Sequence, residues 1–246
     1  MKLNLTRTPE SLSQEIVDAC RRLVPGSRPL FIRRQPSSDA VVNKCTFNVR
    51  HYLLENPGTI VLGWEISVWD QVLLDCIGHA VVRSANDLLC VSPSKYGETS
   101  LLFVPDETLC FDFADPTARM PSKKIALSNR PEVRRFIDLD SEELAIKRKY
   151  VVSSGQIAVS GADAVILQKL MREKQQLTLK ILLATTPPNG PCFCRGKRPF
   201  SNCCRRNPDE VKTRTWNPRS DQRSELFQFP FRHYSYFSRL NCQMPA

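Results

Sequence analysis

Long apolar runs are missing from this sequence of 246 residues. No stretch approaches the roughly 20 apolar residues that a membrane-spanning helix needs, so we predict no membrane span. The first twenty residues, MKLNLTRTPESLSQEIVDAC, carry polar and charged side chains throughout, which argues against a secretory signal. We therefore expect a cytoplasmic protein whose thiols stay reduced.

Internal repeats and nucleic-acid-binding motifs are also missing. The sequence contains no recognition helix and no RNA-binding signature, which argues against sequence-specific binding of nucleic acid. Hydrophobic residues nevertheless make up 41% of the chain, which is enough for a globular protein with a sizeable core. The length fits one large domain with a small appendage, or two modest domains.

Positive charge is concentrated towards the C-terminus. Residues 191–246 contain 11 Lys and Arg against 4 Asp and Glu, whereas residues 1–190 contain 24 against 21. A near-neutral body with a basic tail suits an anionic partner. We expect that partner to be an acidic protein or a ribonucleoprotein surface, although a tail that is merely soluble would have the same composition.

The order of the predicted elements indicates an α+β fold. The stretch TPESLSQEIVDACRRLV has apolar residues at helical spacing, with Thr8 as its N-cap, and a second helix is predicted to begin near Cys45. Short segments that are rich in Val, Ile, Leu and Trp follow, and they predict antiparallel strands. These segments are TIVLGWEISVW, GHAVVRSA, DLLCVSPS and SLLFVPD. Two more helices are predicted behind them, in DSEELAIKRKY and GADAVILQKLMREKQQLTLKILLA.

Four of the chain's ten cysteines lie close together in GPCFCRGKRPFSNCCRR. Cys192 and Cys194 form one close pair, and Cys203 and Cys204 form a second pair after eight intervening residues. Two such pairs across a short polar loop can surround one tetrahedral ion, and thiolates bind zinc well. A disulfide between adjacent cysteines would be strained, so we predict that all four cysteines bind Zn²⁺.

This stretch resembles the SEC-C zinc module, named for the C-terminus of the SecA translocation motor. The family pattern is Cys-Pro-Cys, an eight-residue loop that contains an aromatic residue, and then Cys-Cys or Cys-His. The cysteine spacing matches, and Phe200 falls at the position of the aromatic, but Phe193 replaces the internal proline and the loop has fewer glycines. The segment TTPPNGP breaks the last predicted helix and is typical of a linker, so we predict a main domain over residues 1–186 and a tail over residues 187–246. The resemblance implies that this tail binds zinc and docks on a partner.

Cys45 and His79 form a second candidate site. A cysteine at a helix N-terminus gains thiolate character from the helix dipole, and His79 falls at the start of a predicted strand in CIGHAVV. These positions favour a nucleophilic cysteine with histidine as its base. The alternative interpretation is that both residues belong to the core.

The region from NKCTFNV to LLFVPD resembles bacterial proteins in which a papain- or transglutaminase-like domain precedes a SEC-C tail. In that comparison the strand after the histidine carries an Asp before Thr-Pro. Here Cys90 stands at the position of the acid, before Val91 and Ser92-Pro93, and Asp87 is the alternative carboxylate. A thiol orients an imidazole less well than a carboxylate does. The sequence therefore favours a zinc-binding adaptor and leaves open a thiol-dependent hydrolase or acyltransferase, or a redox switch through loss of zinc.

Overall fold

The computed structural model describes residues 5–85, 87–115, 118–150, 152–153, 156–193 and 198–206. Its helices and mainly antiparallel strands confirm the predicted α+β class. The elements follow the chain in this order: α1 (Gln14–Leu23), β1 (Leu30–Arg33), α2 (Cys45–Tyr52), β2 (Thr59–Trp69), β3 (Leu73–Ser84), β4 (Asp87–Leu89), β5 (Ser100–Pro105), β6 (Ser122–Ala126), α3 (Pro131–Arg148), β7 (Val152–Ser153), β8 (Gln156–Ile157), α4 (Gly161–Thr185) and a 3₁₀ turn (Phe200–Asn202).

The main sheet curls so far that its two outer strands meet. Its strand order is β1–β5–β2–β3–β4, and β6 pairs with the other end of β3. Every strand pairing in it is antiparallel. Just beyond β1 and β4, Arg34 and Cys90 form a parallel bridge. This bridge almost closes the sheet into a barrel with an inner and an outer face.

Small and apolar residues fill the inner face of this sheet. Alternation along the strands puts Gly63 and His79, which are direct partners in β2 and β3, on that face. A Cβ on Gly63 would lie 2.5 Å from the Phe103 ring, so a larger residue there would displace the ring. The inner apolar cluster consists of Ile32, Val81, Cys90, Leu101 and Phe103.

Helix α1 packs on the outer face and begins later than the sequence predicts. The helix starts at Gln14, because the Ser13 hydroxyl oxygen accepts the Ile16 N–H at 3.3 Å and caps it. Thr8 was the wrong N-cap, and its hydroxyl instead donates to Glu98 at 3.1 Å. The core under α1 contains Ala19, Cys20, Trp64, Ile66, Val68, Leu74, Cys76, Leu102 and Val104.

The remaining helices cover two further parts of the sheet. Helix α2 packs Val49 on Ala80 and Val82 of β3. Helices α3 and α4 run antiparallel to each other and pack at the β2–β3 turn, where Trp69 meets Phe136 edge to face at 5.8 Å. Among the helices that the structure describes, none combines the length and the apolar character that crossing a bilayer would require.

Candidate functional site

A buried polar cluster lies at one end of the inner face. It consists of Arg34, Glu65, His79 and Cys90, which are supplied by or directly follow β1, β2, β3 and β4 respectively. The Arg34 side chain is 4% exposed and that of Glu65 is 20% exposed. Buried charged and titratable groups of this kind are a recurrent feature of functional sites, so this cluster is the first candidate.

Both nitrogens of the His79 ring have partners within this cluster. Nδ1 lies 3.3 Å from Glu65 Oε2, and Nε2 lies 3.3 Å from Cys90 Sγ. A thiol, an imidazole and a carboxylate therefore form one continuous chain of contacts. Glu65 supplies the carboxylate that the sequence alone leaves missing, whereas Asp87, the alternative acid, is exposed at the start of β4.

Arg34 ties this chain of contacts together from the side. Its Nη2 donates to Glu65 Oε1, and its Nη1 donates to Cys90 Sγ at 3.4 Å and to the Ser92 carbonyl oxygen at 3.3 Å. The charges of Arg34 and Glu65 compensate each other inside the fold. Arg34 Nε is buried without a hydrogen-bond partner in the structure, which leaves one donor of the guanidinium unsatisfied.

The pKa shifts fix the protonation of the histidine. Burial and the nearby Arg34 charge lower the pKa of His79 to about 3, so the ring is neutral at pH 7. A neutral ring carries a single N–H, so the tautomer decides whether Nε2 donates to Cys90 Sγ or accepts from it, and the Cys90 thiol also lies 3.6 Å from the Ser92 carbonyl oxygen, to which it can donate. Burial also raises the pKa of Cys90 and of Glu65, and Arg34 opposes both shifts. In this state the Cys90 thiol is protonated, and both ring nitrogens of His79 are occupied by partners within the cluster. We call this the closed state of the cluster.

Cys45 is the first residue of α2, as predicted, and lies against the edge of β3. Among the described strands, neither β4 nor β6 pairs with β3 at Ala80, so this edge of β3 is open to the start of α2. Burial raises the pKa of Cys45, while the backbone N–H groups of Ala80 and Thr46 lower it. Among contacts between described residues, no hydrogen bond joins Cys45 to His79, whose ring nitrogens are both engaged elsewhere. Their pairing as nucleophile and base stays a prediction.

Asn48 holds the loop that leads into α2. Its side chain is bonded in both directions to the backbone of Val41, at 2.9 and 2.8 Å. It also donates to the Ser92 hydroxyl oxygen at 3.0 Å. Because Asn48 is buried, these three bonds fix the approach to Cys45 relative to the strand end that carries Cys90.

The second candidate site is a cluster of cysteine sulfurs at the C-terminal end of the described chain. The Sγ atoms of Cys192, Cys203 and Cys204 all lie within 4.8 Å of one another, and those of Cys203 and Cys204 are 4.0 Å apart. Tetrahedral zinc with bonds of about 2.3 Å holds sulfurs about 3.8 Å apart. The three cysteines could therefore hold a metal ion. Cys194, the fourth predicted ligand, lies outside the described residues.

A small scaffold positions these sulfurs, and we call residues 190–206 the cysteine knuckle. Two contacts bring its two arms together. One is a backbone bridge between Pro191 and Pro199, and the other is a hydrogen bond, 3.0 Å long, from the Phe200 N–H to the Gly190 carbonyl oxygen. The Phe200 side chain, 1% exposed, is buried with Cys192 and Cys204 in a cluster that packs on Leu179 and Leu183 of α4. The knuckle is therefore anchored on the last turns of α4 by the aromatic residue that the sequence singled out.

Comparison of the chain with protein-family models, curated proteins and solved structures gives no match. The resemblances to SEC-C and to papain- or transglutaminase-like domains thus stay predictions.

Sequence reasoning missed three residues of the buried polar cluster and its surroundings: Arg34, Glu65 and Asn48. Glu65 is one charged residue in the otherwise apolar segment TIVLGWEISVW, and a charge inside a buried strand needs a partner. That signal was present in the sequence. The partners themselves lie 31 and 14 residues away along the chain and become apparent only from the strand register.

Proposed function

We propose that this protein is a zinc-binding adaptor whose cysteine knuckle and basic tail attach it to an anionic partner. The proposal rests on one observation, the convergence of three cysteine sulfurs within 4.8 Å in a segment with the spacing of the SEC-C module. The ligands would be Cys192, Cys194, Cys203 and Cys204. The role of the ion is structural, because a segment with few apolar residues gains much of its folding free energy from metal binding.

The closed state of the buried polar cluster supports an adaptor ahead of an enzyme. His79 is neutral and has both nitrogens engaged, and the pKa of Cys45 is raised by burial. A cysteine nucleophile works as the thiolate, which such an environment disfavours. The main domain then provides a rigid body that carries the knuckle.

The first test of the adaptor is metal analysis of the purified full-length protein. We expect about one zinc per chain in the wild type and substantial loss in Cys203→Ser. Cys110→Ser is the matched control, because Cys110 is an exposed cysteine outside the cluster, and it should retain the metal. A wild-type protein without zinc, or equal zinc in all three proteins, would refute the proposal.

A second candidate function is a thiol-dependent hydrolase or acyltransferase of papain- or transglutaminase-like type. The contact between Glu65 and the His79 ring favours it, because it supplies the carboxylate that orients a catalytic imidazole. Cys45 would be the nucleophile and His79 the base, and Cys90 would have to release His79 Nε2 before Cys45 could use it.

Iodoacetamide labelling with peptide mapping separates the two functions. A nucleophilic Cys45 should react faster than the exposed Cys110, and His79→Gln should remove that advantage. If Cys45 reacts no faster than Cys110 in the wild type, the enzyme is excluded and the adaptor is unaffected. Labelling concerns the main domain and is scored separately from zinc content.

A further inference from the structure

Helix α4 carries a row of positive side chains on its solvent face. At about 100° per residue, Lys169, Arg172, Gln176 and Lys180 fall within an arc of about 80°, and all four are exposed. The buried residues Leu170, Leu177 and Ile181 lie about 120° round the helix from the middle of that arc. We call the four exposed residues the α4 stripe, which is about 16 Å long along the helix axis.

The cations of the α4 stripe are exposed and lie outside the ion pairs of the described residues, although the Lys169 charge contributes to the lowered pKa of Glu173. In the described part of the chain, no ion pair or hydrogen bond engages the charged groups of Lys169, Arg172 or Lys180. The nearest acid along the helix, Glu173, accepts two bonds from Arg135 at 2.7 and 3.0 Å. These three cations are therefore available to a partner.

The α4 stripe runs directly into the cysteine knuckle. Leu183, on which the knuckle packs, lies within the same arc of the helix one turn beyond the stripe. The knuckle presents three further exposed cations, Arg198, Arg205 and Arg206. Stripe and knuckle therefore form one continuous basic surface, at the point where the chain enters the tail that carries most of the net charge.

We propose that this continuous surface binds the phosphate backbone of nucleic acid without reading its sequence. Spaced cations with a neutral hydrogen-bonding side chain such as Gln176 are what a phosphate backbone requires. A protein partner would draw most of its affinity from buried apolar or aromatic anchors, and between Lys169 and Lys180 the stripe offers none, although Val165, one turn before it on the same arc, is exposed. The inference rests on the proposed adaptor function and names the chemistry of its partner.

The test is binding of the full-length, zinc-assayed protein to fluorescein-labelled 20-mers, single-stranded RNA and duplex DNA, across a series of salt concentrations. The variant Lys169→Glu/Arg172→Glu reverses two charges of the stripe. The matched control Arg33→Glu/Arg83→Glu makes the same change of net charge at exposed positions on β1 and β3. Polyglutamate is the competitor that stands for an acidic protein.

We expect the stripe variant to bind on the order of tenfold more weakly at low salt, with the slope of log K against log salt reduced by about 2. The control variant should keep the wild-type slope. Comparison of the single-stranded RNA with the duplex DNA tells whether the surface prefers single strands or duplexes. Equal loss in both variants, no binding of either 20-mer, or binding of polyglutamate alone would overturn the inference. Zinc content close to one per chain in these same samples would show that the adaptor proposal survives such a failure.

Discussion

Acid should destabilise this protein through His79. Its pKa is about 6.5 in an unfolded chain and about 3 in the fold. The unfolded state therefore takes up a proton first as the pH falls, and stability that is fully present above pH 6.5 is lost on the way down to pH 3. At about 1.4 kcal/mol for each tenfold change in proton affinity, His79 removes about 2 kcal/mol by pH 5 and on the order of 5 kcal/mol at most.

The groups around the His79 ring change how steeply the free energy of unfolding falls with pH, but His79 remains the cause of the fall. Burial raises the pKa of Glu65, so the folded state protonates that carboxyl more readily and regains some stability as the pH falls towards 4.5. The raised pKa values of Cys45 and Cys90 act on the alkaline side. A variant that removes only the histidine separates its contribution from the others.

The assay is urea unfolding at a series of pH values between 7.5 and 4.5, on wild type, His79→Gln and His51→Gln. Gln keeps a polar side chain at the buried site but does not titrate, so His79→Gln should be less stable at pH 7.5 and lose about 2 kcal/mol less on going to pH 5. His51, at the C-terminal end of α2, is the matched histidine outside the buried polar cluster, and His51→Gln tests whether a changed slope is specific to His79. Parallel curves for all three proteins would refute a buried neutral His79.

Three further perturbations test the site and its support. Arg34→Met should cost about 3–5 kcal/mol in urea unfolding because it leaves the Glu65 charge buried without its cation, and Arg34→Met/Glu65→Met should recover part of that loss; a single-variant cost below about 1 kcal/mol would contradict the ion pair. Asn48→Ala should cost about 1–3 kcal/mol and speed iodoacetamide labelling of Cys45, whereas unchanged labelling would show that the loop does not protect the thiol. Phe200→Ala should cost about 3–5 kcal/mol where the knuckle meets α4, seen as increased hydrogen exchange in the last turns of the helix; unchanged exchange would contradict the anchoring.

The sequence predicts the strands of this fold better than its polar contacts. The segments that became β2, β5 and α4 are recognisable because their apolar patterns are continuous and end at turn residues. The strand β6, SKKIA, has two lysines and was missed, because the side chain of one of them, Lys124, is mostly buried through its ion pairs with Asp75 and Asp140. Local pattern does not reveal a charge whose partner is distant in the chain.

The candidate site shows the same limit, because some of its residues could be predicted but not the contacts between them. Cys45 and His79 were predicted from their residue types and local motifs, whereas Cys90 was noted only in the comparison with papain- or transglutaminase-like domains, as the residue at the position of the acid. The structure brings His79 together with Cys90. Which groups engage the ring depends on the register of β2 against β3 and on the bridge that joins the ends of β1 and β4. Because a shift of one residue would turn Glu65 to the other face, composition and spacing cannot supply that contact.

Phe200 gives the cysteine knuckle a role in the solubility of the whole chain. A protein cut after Thr186 would keep every strand and all four α-helices that the structure describes, yet Leu179 and Leu183 would lose the cluster around Phe200 that packs on them. The cut would turn the end of α4 into an exposed apolar patch of the kind that promotes self-association. The helix and the knuckle therefore have to be expressed, purified and engineered as one unit.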